Sequence, residues 1–486
     1  MIESSTLIPL IESLSGKAVL CVGDIMLDRY VYGAVERISP ESPVPILRVD
    51  GETKALGGAG NVLRNLVALG VQASIVTVVG DDAAADDTEA LLAECGSANV
   101  SVTKVSGRKT TLKTRFMAGN QQMLRCDWES VDSLPTPSRH KILTTATEMM
   151  PDHGVLLISD YAKGAVNGRM ASDLITAARH AGRLVIIDPK GPDYDRYRGA
   201  DIVTPNRKEL EEAVGKPLAP GEEIGAAKDL AEMFGFGAVI VTLGKDGMVL
   251  ASRDGTTARM ATIARDVFDV SGAGDTAVAT AAAAMAAGAS VHQAAELANV
   301  AAGIVVGKVG TAVVHASELI QTLHRQDLAR AESKLLALGP ARDRIDIWRR
   351  QGMKIGFTNG CFDLLHPGHV SLLAQAKSAC DRLVVGLNND GSVARLKGPS
   401  RPFQSEAARA TVLASLASVD VVVMFADDTP LELIKILRPD VLIKGADYRI
   451  DQIVGADVVQ EYGGQVLLAN VEPGYSTSAT IERIAK

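Results

Sequence analysis

Short apolar runs suited to β-strands alternate with helix-length stretches along nearly the whole chain, at residues 18–23, 74–80, 155–159, 184–188, 201–204 and 238–243. That alternation implies a largely parallel sheet wrapped by helices. Residues 43–50 and 111–127 break the rhythm. They are extended without intervening helices and are expected as antiparallel strands, a small lid projecting from the main sheet. From 316 to 351 the sequence turns charged and helix-favouring, and the pair Gly339-Pro340 interrupts it, which places a domain junction there. A second series then begins, with strands expected at 354–358, 382–387, 420–425 and 441–444 and helices at 368–378, 405–415 and 430–437. The fold class is α/β twice over, and 486 residues are enough for two cores.

Charge and cysteine usage narrow the function classes. A net charge of -8 offers no broad basic surface to a nucleic-acid backbone, so phosphate binding is expected to be local, in clefts built from loops and helix ends. The five cysteines are scattered, odd in number and free of any CxxC pair, which indicates neither a disulfide framework nor a zinc site. The first residues lack the basic start, apolar core and cleavage site of an export signal, and the Ala-rich stretch 276–289 suits a buried helix better than a membrane span. A cytoplasmic protein without nucleic-acid or membrane partners is expected.

Phosphate chemistry is concentrated where coil runs into helix. Asp269-Val-Ser-Gly-Ala-Gly-Asp275-Thr leads straight into an Ala-rich helix. Glycines let backbone N–H groups approach phosphate oxygens, the helix N-terminus favours negative charge, and Asp275 can take the proton of an attacking hydroxyl. The same residues also suit an ordinary Gly-rich turn with an N-terminal carboxylate. Gly57-Gly58-Ala-Gly60-Asn61 opens another helix, and together with Asp24 and Asp28 it can surround sugar hydroxyls, or else serve tight helix packing. No GxxxxGK[ST] sequence occurs, which disfavours a Walker-type ATPase.

These segments together resemble the ribokinase, or PfkB-type, carbohydrate kinases over roughly residues 17–314. The resemblance implies a ribokinase-like three-layer α/β domain with a β lid, here 1–330, followed by a helical linker at 331–352. It gives Gly272, Ala273 and Gly274 the anion hole and Asp275 the role of base. Asn206-Arg207-Lys208-Glu209 matches the family's NxxE element near magnesium and the ATP phosphates, with Glu209 the candidate metal residue, and Thr242, Gly244 and Gly247 match its nucleotide-side loop. Asp24, Asp28, Gly57, Gly58 and Asn61 are the sugar-binding candidates. Val270 stands where many members have threonine, which weakens the case for the family's monovalent-cation site while leaving the base intact.

The second series carries its own signature. Strand 354–358 is followed by Asn359-Gly360-Cys361-Phe362-Asp363-Leu-Leu-His366-Pro-Gly368-His369 and then by an amphipathic helix. Two histidines three apart at a helix start converge on one anion, Gly368 permits close approach, and no further His or Cys is placed to complete a zinc site. The segment resembles the HxGH signature of cytidylyltransferase-like nucleotidyltransferases, implying a Rossmann-like domain over 353–486. By that resemblance His366 and His369 contact triphosphate oxygens while a sugar phosphate attacks the α-phosphorus. Lys397 sits where such proteins place a phosphate-binding lysine, Arg401 follows in the same loop, and Ser476-Thr477-Ser478 resembles their C-terminal phosphate loop.

The order of the two halves, with RISPESPVPIL, DVSGAGDT, TNGCFDLLHPGH and KGPSRP, is similar to the family of bifunctional heptose-phosphate kinase and adenylyltransferases of bacterial lipopolysaccharide core synthesis. That resemblance implies ATP in both halves, magnesium in both, phosphorylated heptose substrates, a phosphatase acting between the two steps and, by analogy through the lid, a homodimer. A cytidylyltransferase fused to a kinase for another sugar phosphate, or a silent nucleotide-sensing second domain, are the alternatives. Arg37, Arg115 and Lys190 are candidates for the distal sugar phosphate by charge and position.

Overall fold

The computed structural model describes residues 2, 4–96, 98–119, 121–262, 268–308, 310–446 and 448–470. The chain divides into two compact units, Met1–Leu323 and His324–Lys486.

In the first unit a nine-stranded sheet runs in the order Thr257–Met260, Met248–Ser252, Ala238–Thr242, Ile202–Val203, Leu184–Asp188, Val155–Ser159, Ala18–Gly23, Gln72–Val79, Asn99–Lys104. All neighbours pair in parallel except the hairpin at one edge, where Met248–Ser252 is antiparallel to both of its neighbours. Successive side chains of a strand point to opposite faces, and both faces are apolar here: Val19 and Cys21 join one buried cluster while Leu20 and Val22 join another. Helices therefore cover both sides, giving the three layers expected. Among them the helix Ala273–Ala286 buries Ala277 through Ala284, small side chains that let it pack closely in the core.

The lid is a four-stranded sheet in the order Pro45–Gly58, Ile25–Ile38, Leu112–Ala118, Gln121–Trp128. Two antiparallel hairpin-like pairs are joined by a parallel ladder from Leu27 with Leu112 to Gly33 with Ala118. The expectation of purely antiparallel strands is corrected at that central ladder, and the 14-residue strand Ile25–Ile38 was not foreseen, its start merging with the preceding strand-end motif.

In the second unit six strands all pair in parallel, in the order Leu335–Leu336, Val421–Phe425, Arg382–Asn388, Ile355–Gly360, Val441–Gly445, Gln465–Ala469. Residues 331–352, expected as a linker, are folded into this unit. Leu335–Leu336 adds an edge strand, and the helix Leu338–Arg350 buries Ala341 and Ile345 in the core, because its apolar positions recur at helical spacing. Gly339 and Pro340 fall in that helix's first turn, where proline's missing N–H needs no partner. The expected phosphate loop Ser476, Thr477 and Ser478 lies outside the described residues.

Candidate active sites

Parallel strands deliver their carboxyl ends to one edge of a sheet, and a crevice opens where the strand order reverses. In the first unit that reversal falls at Ala18–Gly23, flanked by Val155–Ser159 and Gln72–Val79. The helix Ala273–Ala286 starts there from Gly272, whose φ of 77° and an added Cβ only 2.6 Å from Asn61 Nδ2 leave room for glycine alone. Asp275 lies in the first helical turn, 5% exposed. Its carboxylate accepts hydrogen bonds from Tyr161 Oη at 2.6 Å and Asn61 Nδ2 at 2.8 Å. Burial raises its pKa to about 6 against the opposing pull of those two donors. Such a group is a base poised near neutrality.

Beside it, Asn206, Arg207, Lys208, Thr242, Gly244, Gly247, Ala273 and Gly274 line a cavity of about 580 Å³ together with apolar Val270, Ala302 and Val306. All eight were expected at the nucleotide. Asn206 and Glu209 also cap their helix reciprocally, Asn206 Oδ1 accepting from Glu209 N and Glu209 Oε2 from Asn206 N, so the motif builds the helix start it uses. A smaller cavity of about 140 Å³ is lined by Asp160, Tyr161, Asp188, Lys190, Glu209 and Gly274, among others. Burial, then the negative charges of Asp275 and Glu209, push the Asp188 carboxyl well above the usual carboxylate range, with Lys190 opposing. Lys190 itself is paired with Glu209 at 2.7 Å. Crowded carboxylates of this kind are relieved by a divalent cation, and two carboxylates with substrate phosphate oxygens are what magnesium favours. Asp188 and Glu209 therefore fit the metal, although among the described residues no group of three or more potential ligands is found. A monovalent cation fits less well. Asp269 accepts from Ser271 N and Gly310 N, and Val270 offers no oxygen from its side chain.

Of the sugar-binding candidates, Asp28 sits 4% exposed against Gly57, where a Cβ would lie 2.3 Å from its Oδ2, and pairs with Arg115 at 2.5 Å. Gly58 starts the helix Ala59–Ala68 with φ of 56°. Asn61 is turned to Asp275. Asp24 instead anchors a turn, its two oxygens accepting from the backbone N–H groups of Tyr161, Lys163 and Ala165 at 2.8 to 2.9 Å. Arg37 is exposed in the lid. Tyr161 and Asp188 were missed, and their signal was position: both stand at or just past the carboxyl end of a parallel strand.

The second unit repeats the logic at Ile355–Gly360, where its strand order reverses. A cavity of about 490 Å³ is lined by Asn359, Gly360, Phe362, His366, Gly368, His369 and Lys397, as expected, and also by Lys444, Tyr448 and Asn388. His366 is the N-cap of the helix Pro367–Ser378. Its ring stacks on that of His369 at 3.8 Å between centroids, and Nδ1 of His366 and Oδ1 of Asn359 are buried without a hydrogen-bond partner. Burial, then the neighbouring His366 and Lys397, lower His369 to about 4, and burial lowers His366. Neutral rings at a helix start, with unused polar atoms, are prepared for an anion.

Asp363 and Arg401 do not line this cavity; they pair with each other, and Asp363 also accepts from Phe403 N at 2.7 Å. The pair braces the loop after Lys397, since a buried carboxylate is satisfied by the nearest donors. Arg409, fully buried, donates to the carbonyls of Cys361, Asn388 and Gln404 and to Asp390, holding the loops on both sides of the cavity. Lys444, which donates to Asn359 O at 3.1 Å, was missed because it stands near the end of a strand far along the sequence.

Comparison with known proteins follows the same division. The pfkB family carbohydrate kinase pattern matches residues 17–317, and the cytidylyltransferase-like pattern matches 357–483. A protein of Paramagnetospirillum magneticum named bifunctional protein HldE is 56% identical over 100% of this chain and 99% of its own length. Its namesake in Rhodospirillum rubrum is 51% identical over 100% and 98%. Among solved structures, phosphofructokinase-2 of Escherichia coli in complex with potassium is 22% identical with a TM-score of 0.55, over 64% of this chain and 98% of that one. Ribokinase of Arabidopsis thaliana complexed with ribose and ATP gives 22% and 0.51, over 63% and 98%. The two structures support the fold of the first unit.

Proposed function

We propose, because the chain belongs to the family of bifunctional HldE proteins, a pfkB family carbohydrate kinase joined to a cytidylyltransferase-like domain, that it uses ATP twice in making ADP-heptose for the lipopolysaccharide core. In the first half, the C1 hydroxyl oxygen of heptose 7-phosphate attacks the γ-phosphorus of ATP, its proton passes to Asp275, and ADP leaves, giving the 1,7-bisphosphate. The helix start at Gly272, Ala273 and Gly274 faces the charge that develops. Magnesium, when bound, neutralises phosphate charge, and Asp188 and Glu209 would hold it. In the second half, an oxygen of heptose 1-phosphate attacks the α-phosphorus of ATP and the bond to pyrophosphate breaks. His366, His369 and Lys397 take up the triphosphate charge, and Lys444 adds a further cation beside them. Removal of the 7-phosphate between the steps falls to a separate phosphatase.

The observation that carries this reading is the presence, in one chain, of two crevices at two strand-order reversals, each opening onto a helix start furnished for phosphate. The test is mass analysis of the products from purified protein, ATP and heptose 7-phosphate. Bisphosphate alone is expected without a phosphatase, and ADP-heptose once one that removes the 7-phosphate is added. CTP in place of ATP in the second step should release little pyrophosphate; a preference for CTP would overturn the adenylyl assignment.

The lid also bears on assembly. Ile38, Val49, Leu124 and Trp128 are 61%, 56%, 57% and 40% exposed on it, apolar side chains of the kind that a second lid would cover. Sedimentation is expected to give twice the 51.0 kDa chain mass, and Leu124→Asp to return the monomer.

A further inference from the structure

Two buried carboxylates and a strained residue converge on one short turn. Asp24 binds three backbone N–H groups of residues 161–165, and Asp160 Oδ1 accepts from Ala162 N at 2.7 Å. Asp160 is held in turn by Arg196 at 2.7 Å and Tyr197 Oη at 2.8 Å. Ala162 has φ of 55°, a left-handed conformation that is strained for a side-chain-bearing residue. Gly58 must also lack a side chain, since a Cβ there would meet Asp24 O at 2.6 Å and Tyr161 Cδ2 at 3.5 Å. Strain persists only where surroundings over-determine it, and what this turn delivers is the Tyr161 hydroxyl, 2.6 Å from Asp275 Oδ1.

We propose that Tyr161 is a positioning residue for phosphoryl transfer: its phenol fixes the carboxylate of Asp275, and the strained turn anchored by Asp24 and Asp160 serves to deliver that phenol. The inference rests on Asp275 being the base. With one oxygen held by Asn61 and the other by Tyr161, the carboxylate cannot rotate away, and each oxygen keeps a lone pair for the incoming hydroxyl. Tyr161 is suited to be a permanent donor, because burial and the charges of Asp275 and Asp188 push its own ionisation well up. The ionisable groups around Asp275 are Tyr161, Cys21, Asp28, Lys113 and Asp188; of these only Tyr161 is hydrogen-bonded to it. A donor to the ionised form lowers a carboxyl pKa, so removing it raises the pKa and moves the acid limb of turnover to higher pH.

Tyr161→Phe keeps the ring and removes the hydroxyl. Kinase kcat is expected to fall about 10- to 100-fold, with the KM for heptose 7-phosphate changed less than about threefold and the acid limb moved upward. Adenylyl transfer by the same sample counts the active protein. Replacing Tyr161 by 3-fluorotyrosine, a stronger donor of the same shape, should move the acid limb the other way with unchanged melting. An unaltered kcat and limb in Tyr161→Phe, or a lower kcat with the limb unmoved in both variants, would overturn the proposal. Retained kinase turnover in Asp275→Asn would instead remove the base itself, so the two failures are told apart.

Discussion

Asp275→Asn is expected to lower phosphorylation of heptose 7-phosphate by about 10²- to 10⁴-fold, the share that a positioned general base contributes. Adenylyl transfer to heptose 1-phosphate by the same protein should stay within about twofold, because substitutions without shared partners act independently. Separate coupled assays for ADP and pyrophosphate read the two activities. Asparagine fills the same space but has no charge and cannot take the proton. The parent's kinase turnover should rise as pH climbs through about 6, where Asp275 ionises, and level off above it; the variant loses that limb. Stability runs the opposite way. Burial raises the carboxyl above its unfolded value, so whatever its protonated form contributes is present at low pH and is lost as pH rises through the folded pKa. The neutral asparagine escapes this loss, and the variant should melt at or above the parent at pH 7.5. A variant that is inactive in both assays, or that melts well below the parent, would mean that Asp275 holds the fold together.

What was legible in the sequence was local. GAGD and HxGH are each a helix start with the residues that use it, so spacing along the chain equals spacing in space, and the structure brings Ala273 and Gly274 of the first and His366, Gly368 and His369 of the second to cavities. Tyr161, Asp188 and Lys444 come from strand ends separated by many residues and meet their sites only because parallel strands present their carboxyl ends on one edge. No short motif records that meeting. A search for polar residues at the end of each expected parallel strand, or one or two positions past it, would have found all three.

Three of the residues expected at the sites are engaged by the chain itself. Asp24, Asp363 and Arg401 stand beside glycines or prolines, or near them, in loops at strand ends, where a charge that binds substrate and a charge that braces the backbone look alike in sequence. The fold separates them by the donors it supplies: three backbone N–H groups on Asp24, and an arginine plus backbone N–H on Asp363, leave these carboxylates satisfied by their own chain. The lid shows the same limit at larger scale. Ile25–Ile38 runs from a buried end at the sheet to an exposed end, so its alternation fades along its length, and the parallel ladder with Leu112–Ala118 depends on a pairing across about eighty residues.

His369→Ala should reverse the pattern of Asp275→Asn, lowering adenylyl transfer about 10²- to 10³-fold, as loss of one preorganised charge-stabilising group does, while the kinase assay stays unchanged. Before nucleotide arrives, two rings stacked at 3.8 Å cannot both carry charge, and burial with the adjacent Lys397 holds His369 neutral down to about pH 4. An arriving triphosphate inverts that balance, since negative charge close by favours the protonated ring. ATP binding to the second half should therefore take up a proton near pH 6, seen as a dependence of the calorimetric binding enthalpy on the ionisation enthalpy of the buffer. His369→Ala should lose most of that uptake together with its turnover. Full adenylyl transfer in the alanine variant would place the charge stabilisation on Lys397 and Lys444 instead, and proton uptake retained there would assign it to His366.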